Sequence, residues 1–308
     1  MVINIWLYAG IPEYFKLGVD FGHCSGNTEL MPRLSSENAL NADNQQGTPI
    51  LSETPQRLNA KYPKSISREE AILLGILYTD GCLSKKSKNC WRFYLSNTSF
   101  EIIKCFKNSM MKVFGLNEKR IRISQKEVNG KPFYKAVVDS GYCGSILTAE
   151  YGTFRTLAYK DKEGKEIYPL TKLPFNSDGN LKIVSLFLKA AFSCDGGVNL
   201  YVANANKYKF LIRNVFLSCK HPQLQLDYFN LLKLFGIKAK ILKKDNKLRL
   251  QGKDNLMRFY KKIGFLTGVQ ITQHSAYWQG WEKNKVLKLL LSSYGRPETV
   301  FNMPSFLG

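Results

Sequence analysis

Two segments of the chain share one plan, an apolar run of helical length that ends in Asp-Gly. They are residues 71–81, AILLGILYTDG, and residues 181–196, LKIVSLFLKAAFSCDG, so their acids, Asp80 and Asp195, lie a domain length apart. After each run the sequence pattern predicts the same order of elements: two strands, a helix, two strands and a helix. The repeat therefore predicts an α+β fold built from two αββαββα units.

Both apolar runs have recognisable beginnings. Ser67 and Glu70 have the spacing of a capping box, which predicts a first helix from Ser67 to Thr79. The second helix is predicted over 180–195, with Ser177 or Asp178 as its cap. A competing interpretation makes Asp-Gly only a stop signal, because glycine is common just past a helix end.

Small residues occupy matching places in the two runs and lie four apart, on one face of each helix. They are Gly75 and Thr79 in the first run and Ala190 and Cys194 in the second. Such faces allow two helix backbones to approach closely. If they pack together, Asp80 and Asp195 meet at two negative helix ends, where they repel unless a cation lies between them. The pattern thus predicts a divalent metal site.

The net charge of +21 is unevenly placed. Residues 1–66 hold nearly equal numbers of basic and acidic side chains, so the excess lies in the remainder of the chain. An excess of this size points to a polyanion, because phosphate contacts and counterion release dominate nucleic-acid affinity. Nucleic acid is favoured over a membrane, since no segment has the length of a spanning helix and no lone basic amphipathic helix is present.

Two predicted hairpins carry much of this charge. In residues 120–140, which turn at Asn129-Gly130, and in residues 237–251, basic side chains alternate with apolar ones. A two-stranded ribbon fits the major groove of DNA, whereas an ordinary solvated sheet face is the alternative. The predicted DNA contacts are Arg92, Tyr94, Arg120, Arg122, Ser124, Lys126, Lys135, Asn199, Tyr201, Lys238, Lys240, Lys247, Arg249 and Gln251.

Other features narrow the class of protein. Seven cysteines without a C-x-x-C pair predict a reducing intracellular compartment, such as a cytoplasm, nucleoid or organelle matrix. The first residues lack a basic leader, so secretion is not expected. Residues 1–66 are predicted to be a poorly ordered or accessory extension, 67–151 the first domain, 152–178 a linker and 179–308 the second domain.

The segments LLGILYTDG (73–81) and LKAAFSCDG (188–196) resemble the motif of the LAGLIDADG homing endonucleases, in their single-chain, two-motif form. The resemblance covers about residues 66–285. It implies a pseudo-symmetric monomer whose motif helices form the domain interface, with two saddle-shaped antiparallel sheets astride a long site in double-stranded DNA. It also implies an intron-encoded enzyme that makes a staggered double-strand break.

The resemblance further implies that Asp80 and Asp195 bind Mg²⁺ or Mn²⁺, with metal contacts from the carbonyls of Thr79 and Cys194. Ca²⁺ is expected to support binding without cleavage. Family members often place a lysine near each centre, which nominates Lys172 in YPLTKLP. In the second half the corresponding position falls near Gln270, with Lys261 or Lys262 as alternatives.

Three other functions have to be weighed for a chain with this resemblance. A DNA-binding regulator on the same scaffold would not cut, although retention of both acids argues against it. An RNA maturase would help its own intron RNA to splice. A nuclease embedded in an intein is not expected, because the sequence has no terminal His-Asn and splicing nucleophile.

Overall fold

A computed structural model describes residues 65–128, 130–175, 180–205, 208–272, 275 and 277–295. The extension predicted for residues 1–66 lies outside these residues, apart from Ser65 and Ile66. None of the described helices is both long enough and apolar enough to cross a membrane.

Two repeats follow each other in the chain. The first consists of α1 (Arg68–Leu77), β1 (Gly81–Ser87), β2 (Cys90–Asn97), α2 (Phe100–Phe114), β3 (Arg122–Val128), β4 (Lys131–Asp139) and α3 (Gly141–Tyr151). A small hairpin of β5 (Tyr159–Lys160) and β6 (Glu166–Ile167) comes next. The second repeat consists of α4 (Leu181–Asp195), β7 (Gly196–Ala205), β8 (Tyr208–Ser218), α5 (Pro222–Leu234), β9 (Ala239–Leu242), β10 (Lys247–Leu250) and α6 (Lys253–Lys262). A further helix, α7 (Lys283–Ser292), ends the described chain.

The two four-stranded sheets have the same topology. Their orders are β1-β2-β4-β3 and β7-β8-β10-β9, and all neighbouring strands are antiparallel. The predicted fold class, α+β with two αββαββα repeats, is therefore confirmed. Helix α7 was not predicted, because it has no counterpart in the first repeat; its Val286, Leu287 and Leu290 are fully buried.

The capping box at the start of α1 is confirmed. The Ser67 hydroxyl accepts a hydrogen bond from the Glu70 N–H (3.1 Å), and the Glu70 carboxylate accepts one from the Ser67 N–H (3.3 Å). The N-cap of α4 is Asn180, whose side chain accepts from the Lys182 N–H at 3.0 Å. The predicted caps, Ser177 and Asp178, precede it and lie outside the described residues.

Helices α1 and α4 pack at backbone distance. A Cβ atom built on Gly75 would lie 2.7 Å from the Ala190 Cβ and 2.5 Å from the Phe187 carbonyl oxygen. Around this contact Leu74, Ile76 and other apolar residues of both helices are fully buried. A side chain at position 75 would therefore push apart the two helices that form the centre of the molecule.

The glycines after the two acids serve close packing. Neither Gly81 nor Gly196 has a positive φ; each is the first residue of a strand. A Cβ on Gly81 would lie 2.8 Å from the Leu77 Cα, and one on Gly196 would lie 2.5 Å from the Phe192 oxygen. At each glycine the chain turns directly from helix to strand and folds back on the last helical turn, so close packing accounts for both glycines; Gly196 is also the C-cap of α4.

We expect Gly75→Ala to lower the free energy of unfolding by about 1–3 kcal/mol, because overpacking outweighs the roughly 1 kcal/mol by which alanine favours a helix. Urea denaturation measures the change. Asn108→Ala, at an exposed position of α2, is the control and should be neutral or slightly stabilising. Equal effects of the two substitutions would show that the α1–α4 contact tolerates a methyl group.

Candidate metal centre and nucleic-acid interface

The acid pair, Asp80 and Asp195, lies where α1 and α4 end. Asp195 is the last residue of α4, and Asp80 lies just beyond α1, directly before β1. The two carboxyl groups are close enough for each to influence the pKa of the other, and Thr79 and Cys194 lie beside them. The structure thus brings together four residues that the sequence nominated.

The electrostatics of the acid pair favour a bound cation. Burial raises the pKa of Asp80, against the opposing effects of Lys283, Cys194 and Asn97. Burial also raises the pKa of Asp195 well above its usual value, and the neighbouring Asp80 raises it further. Two buried carboxylates side by side repel each other unless a proton or a cation is held between them.

The donor set around the acid pair fits a hard divalent cation. Mg²⁺ takes oxygen ligands and commonly uses one or two carboxylates, with water and substrate phosphates completing its shell. The described residues contain no group of three or more His, Cys, Asp or Glu side chains that could hold a metal. The carbonyl oxygens of Thr79 and Cys194 remain candidates for further oxygen ligands.

A cavity of about 240 Å³ opens beside Asp80. Its polar lining includes Asn97, Cys194, Gln270, Thr272 and Lys283. Asn97 Nδ2 donates to Asp80 Oδ2 at 2.6 Å, so the end of β2 orients this carboxylate. Gln270, nominated for the second half, does line the cavity, and its backbone pairs with Glu282.

Lys283 is a site residue that the sequence analysis missed. Of the described residues that line the cavity, it is the one with a basic side chain. It is buried at the start of α7, and its Nζ donates to the carbonyl oxygens of Ser193 (2.6 Å) and Gly196 (2.7 Å), which flank the acid in α4. Burial lowers its pKa to about 8, although Cys194 and the acid pair favour its charged form.

The lysines that the sequence analysis nominated lie outside the cavity beside Asp80. Lys261 and Lys262 are exposed at the end of α6 and do not line the Asp80 cavity. Lys172 lines a separate cavity of about 540 Å³ with Phe175 and Asp227. Its backbone contacts the end of α1, because the Lys172 carbonyl accepts a hydrogen bond from the Tyr78 hydroxyl at 3.0 Å. The Lys172 side chain therefore does not line the cavity beside Asp80.

The first sheet presents a basic face away from its buried side. We call it the first outer face; it consists of the outward residues of β2, β3 and β4, among them Arg92, Tyr94, Arg122, Ser124, Lys126 and Lys135. The alternate residues of the central strands, such as Phe93, Leu95 and Ala136, are fully buried. Arg120 is exposed but lies in a short 3₁₀ turn before β3, outside the strand.

An acid that was not predicted, Asp139, organises the arginines of this face. Its carboxylate accepts from Arg92 Nε (2.7 Å) and Nη2 (2.9 Å) and from Arg122 Nη2 (2.8 Å). Hydrogen bonds from Arg92 and Arg122 hold the pKa of Asp139 well below its usual range. The two guanidinium groups are therefore held in fixed positions before any ligand arrives.

The second sheet has a corresponding second outer face. On β7, β9 and β10 it carries Asn199, Tyr201, Lys240, Lys247 and Arg249, in register across the strands. Lys238 lies directly before β9 and Gln251 directly after β10, and both are exposed. The nominated contacts of each repeat thus lie on one face of a sheet or at its margin.

Comparison with known proteins finds a family model and several solved structures that are similar to this chain. The sequence model described as "LAGLIDADG-like domain" matches residues 182–264. No curated protein matches the chain. Among solved structures, the homing endonuclease I-DmoI in complex with DNA and Ca shares 16% identity over 65% of this chain and 91% of its own, with a TM-score of 0.42.

Two further solved structures are similar. The homing endonuclease I-WcaI, bound to its DNA recognition sequence, shares 13% identity over 67% of this chain and 86% of its own, with a TM-score of 0.38. The meganuclease I-SmaMI, bound to uncleavable DNA, shares 12% identity over 67% and 86%, with a TM-score of 0.40. Residues 182–264, which include α4, Asp195 and the second sheet, are thus similar to the LAGLIDADG-like domain.

We expect Lys283→Met to lower the free energy of unfolding by about 3 kcal/mol, because it leaves two buried carbonyls unpaired and removes the cation beside the acid pair. Chemical denaturation in metal-free buffer measures the loss. Lys288→Met, at an exposed position of the same helix, should change stability by less than about 0.5 kcal/mol. A loss no larger than that of the control would contradict the role given to Lys283.

We expect the stabilisation by Asp139 to depend on pH. Because the folded-state pKa lies below the unfolded value of about 3.9, the stabilisation is complete above about pH 5 and declines as the pH falls through the folded pKa. Asp139→Asn should therefore destabilise the protein more at pH 6 than at pH 3. Thermal unfolding of both proteins at the two pH values tests this, and a difference that is independent of pH would contradict it.

Proposed function

We propose that the chain is a sequence-specific DNA endonuclease that makes a metal-dependent, staggered double-strand break in a long site. The observation that carries the proposal is the acid pair: two buried carboxyl groups at the meeting point of two helix ends, with Asn97 holding the Asp80 carboxylate and Lys283 holding the end of α4. Each acid directly precedes the first strand of a sheet with a basic outer face. The match of residues 182–264 to the LAGLIDADG-like domain supports the same reading.

The residues of the centre have distinct roles in this proposal. Asp80 and Asp195 would hold Mg²⁺ or Mn²⁺, which polarises a phosphate and lowers the pKa of a bound water. Asn97 keeps the Asp80 carboxylate in a fixed orientation. Lys283 fixes the turn from α4 to β7 through the Ser193 and Gly196 carbonyls, and Gln270 offers the cavity a neutral donor and acceptor. Ca²⁺ would support binding without cutting.

The outer faces would bind the duplex, one on each side of the centre. Lysine and arginine side chains contact phosphates and base edges, and each repeat reads one half of the site. A single chain supplies both halves, so we propose a monomer, with domains at 67–151 and 179–308 joined by the linker 152–178. We also propose an intracellular, reducing environment.

We expect Asp80→Asn and Asp195→Asn each to abolish double-strand cleavage while leaving DNA affinity within a few-fold of the parent, because each removes a metal ligand without changing an outer face. In metal-free buffer Asp195→Asn should unfold no more easily than the parent, since a neutral amide removes the like charge beside Asp80. Asp254→Asn, at an exposed position of α6, is the matched control and should cut normally.

The substrate for this test comes from a randomised duplex library incubated with Mg²⁺ and, separately, with Ca²⁺, followed by sequencing of bound and cut molecules. Cutting by either variant at the parental rate would contradict the proposed centre. Specific binding without cutting by the parent in Mg²⁺ or Mn²⁺ would instead favour a DNA-binding regulator.

A further inference from the structure

The two outer faces differ in their chemistry along the strands that start at the acid pair. On β7 and β8, the outward residues form three cross-strand pairs: Asn199 with Asn214, Tyr201 with Ile212, and Ala203 with Phe210. A fourth pair, Gly197 with Phe216, lies next to Asp195. Within Gly197–Ala203 and Phe210–Phe216, the outward side chains are therefore uncharged, and most are apolar or aromatic.

This uncharged strip is accessible at Tyr201 and Phe210 and closed at Asn214. Phe210 is 37% exposed and Tyr201 41% exposed, whereas Asn214 and the alternate residues Leu200 and Val215 are buried. Asn199 Nδ2 donates to Asn214 Oδ1 at 3.0 Å, so the buried amide orients the partly exposed one. Asn199 is therefore the amide of the strip that a ligand can reach, and its exposed neighbours are aromatic.

The other half of the same sheet is basic. Lys240, Lys247 and Arg249 lie on β9 and β10, and Lys247 Nζ lies 5.1 Å from the centroid of the Phe216 ring. Arg249 Nε is buried and has no hydrogen-bond partner among the described residues. Cations beside an uncharged strip suit a ligand that has a row of negative charges next to a partly apolar edge. A DNA groove, with its phosphates and its base edges, fits this description better than a protein surface does.

The strands of the first sheet that correspond to β7 and β8 are β1 and β2, and their outer face carries an arginine. Arg92, opposite Ser84, has the position of Asn214, and Asp139 holds its guanidinium group together with that of Arg122. The remaining strands carry basic residues in both sheets: Lys135 and Arg122 in the first correspond to Lys247 and Lys240 in the second. Because arginine donates to O6 and N7 of guanine, the first face is suited to guanine at the position where the second face has an amide.

The uncharged strip is suited to A·T pairs. The C5-methyl of thymine is the apolar group of the major groove, and asparagine pairs with N6 and N7 of adenine. From Gly197 to Ala203 the strand extends about 20 Å, at roughly 3.3 Å per residue. That distance corresponds to about six base pairs at 3.4 Å each.

We propose that the two half-sites differ in composition: the second repeat selects an A·T-rich segment of about six base pairs that begins beside the cleavage centre, read through thymine methyl groups and adenine edges, whereas the first repeat selects guanines. The proposal rests on the proposed function. RNA could also place bases against aromatic residues, but uracil lacks the methyl group that this strip is suited to contact.

The first experiment assigns the half-sites by selecting bound duplexes from a randomised library in Ca²⁺, with the full chain and with Arg122→Ala. We expect a site with one A·T-rich half and one guanine-containing half, and Arg122→Ala should relax preference only in the guanine half. A specific site with two halves of equal composition overturns the inference and leaves the proposed function standing. A chain that selects no duplex overturns both.

The second experiment replaces thymine by deoxyuridine in one half of the selected site, which removes only the methyl groups. Affinity should fall about fourfold for each contacted methyl, the equivalent of about 0.8 kcal/mol, when the A·T-rich half is substituted. Substitution of the other half should have no effect. Unchanged binding in the A·T-rich half, or methyl dependence in the guanine half, overturns the inference.

Phe210→Ser provides the matched protein variant. Phe210 is partly exposed at the outer end of the strip, so the variant should fold, and circular dichroism checks that it does. It should lose the deoxyuridine effect at the outer base pairs while keeping it near the centre. Leu226→Ser, at an exposed position of α5, should keep the full effect. Full methyl sensitivity in folded Phe210→Ser would place the contacts elsewhere and overturn the inference.

Discussion

The structure depends on the direct contact between α1 and α4. With Gly75 against Ala190, the two helix backbones approach within the space of a methyl group, and their ends arrive at the same point. Because each helix passes into a strand through a glycine, the sheets also begin there. The position of the acid pair, and the origin of both outer faces, therefore follow from one close helix–helix contact.

The burial of Asp80 and Asp195 at one point lowers the stability of the fold unless their negative charge is balanced. Burial raises the pKa of both carboxyl groups at these helix ends, and the neighbouring Asp80 raises the pKa of Asp195 further. Lys283 opposes part of that rise and also pairs the carbonyls of Ser193 and Gly196. The chain thus stabilises the α4 terminus with its own cation but keeps a carboxyl pair that a divalent ion would suit better. A buried pair of carboxyl groups with raised pKa values is typical of functional sites.

The sequence predicts the repeated part of this molecule and misses the part that is not repeated. The two runs ending in Asp-Gly, the capping box at Ser67 and the alternating hairpins follow local rules of spacing and period, and each recurs or is strongly patterned. Lys283 begins a helix without a counterpart in the first repeat, and its role comes from a tertiary contact with α4. Asp139 is likewise one acid at a strand end, and only the register of β2 with β4 shows that it lies opposite Arg92.

The same reasoning explains why two sheets of the same topology can carry different side chains on their outer faces. Sheet order and helix packing are set by buried residues such as Phe93 and Leu200, which are apolar in both repeats. Outward positions are not constrained by packing, so arginines around Asp139 can stand on one sheet and an Asn199–Asn214 pair on the other without changing the fold. A single chain that carries both repeats, unlike a symmetric dimer, is free to diverge in this way.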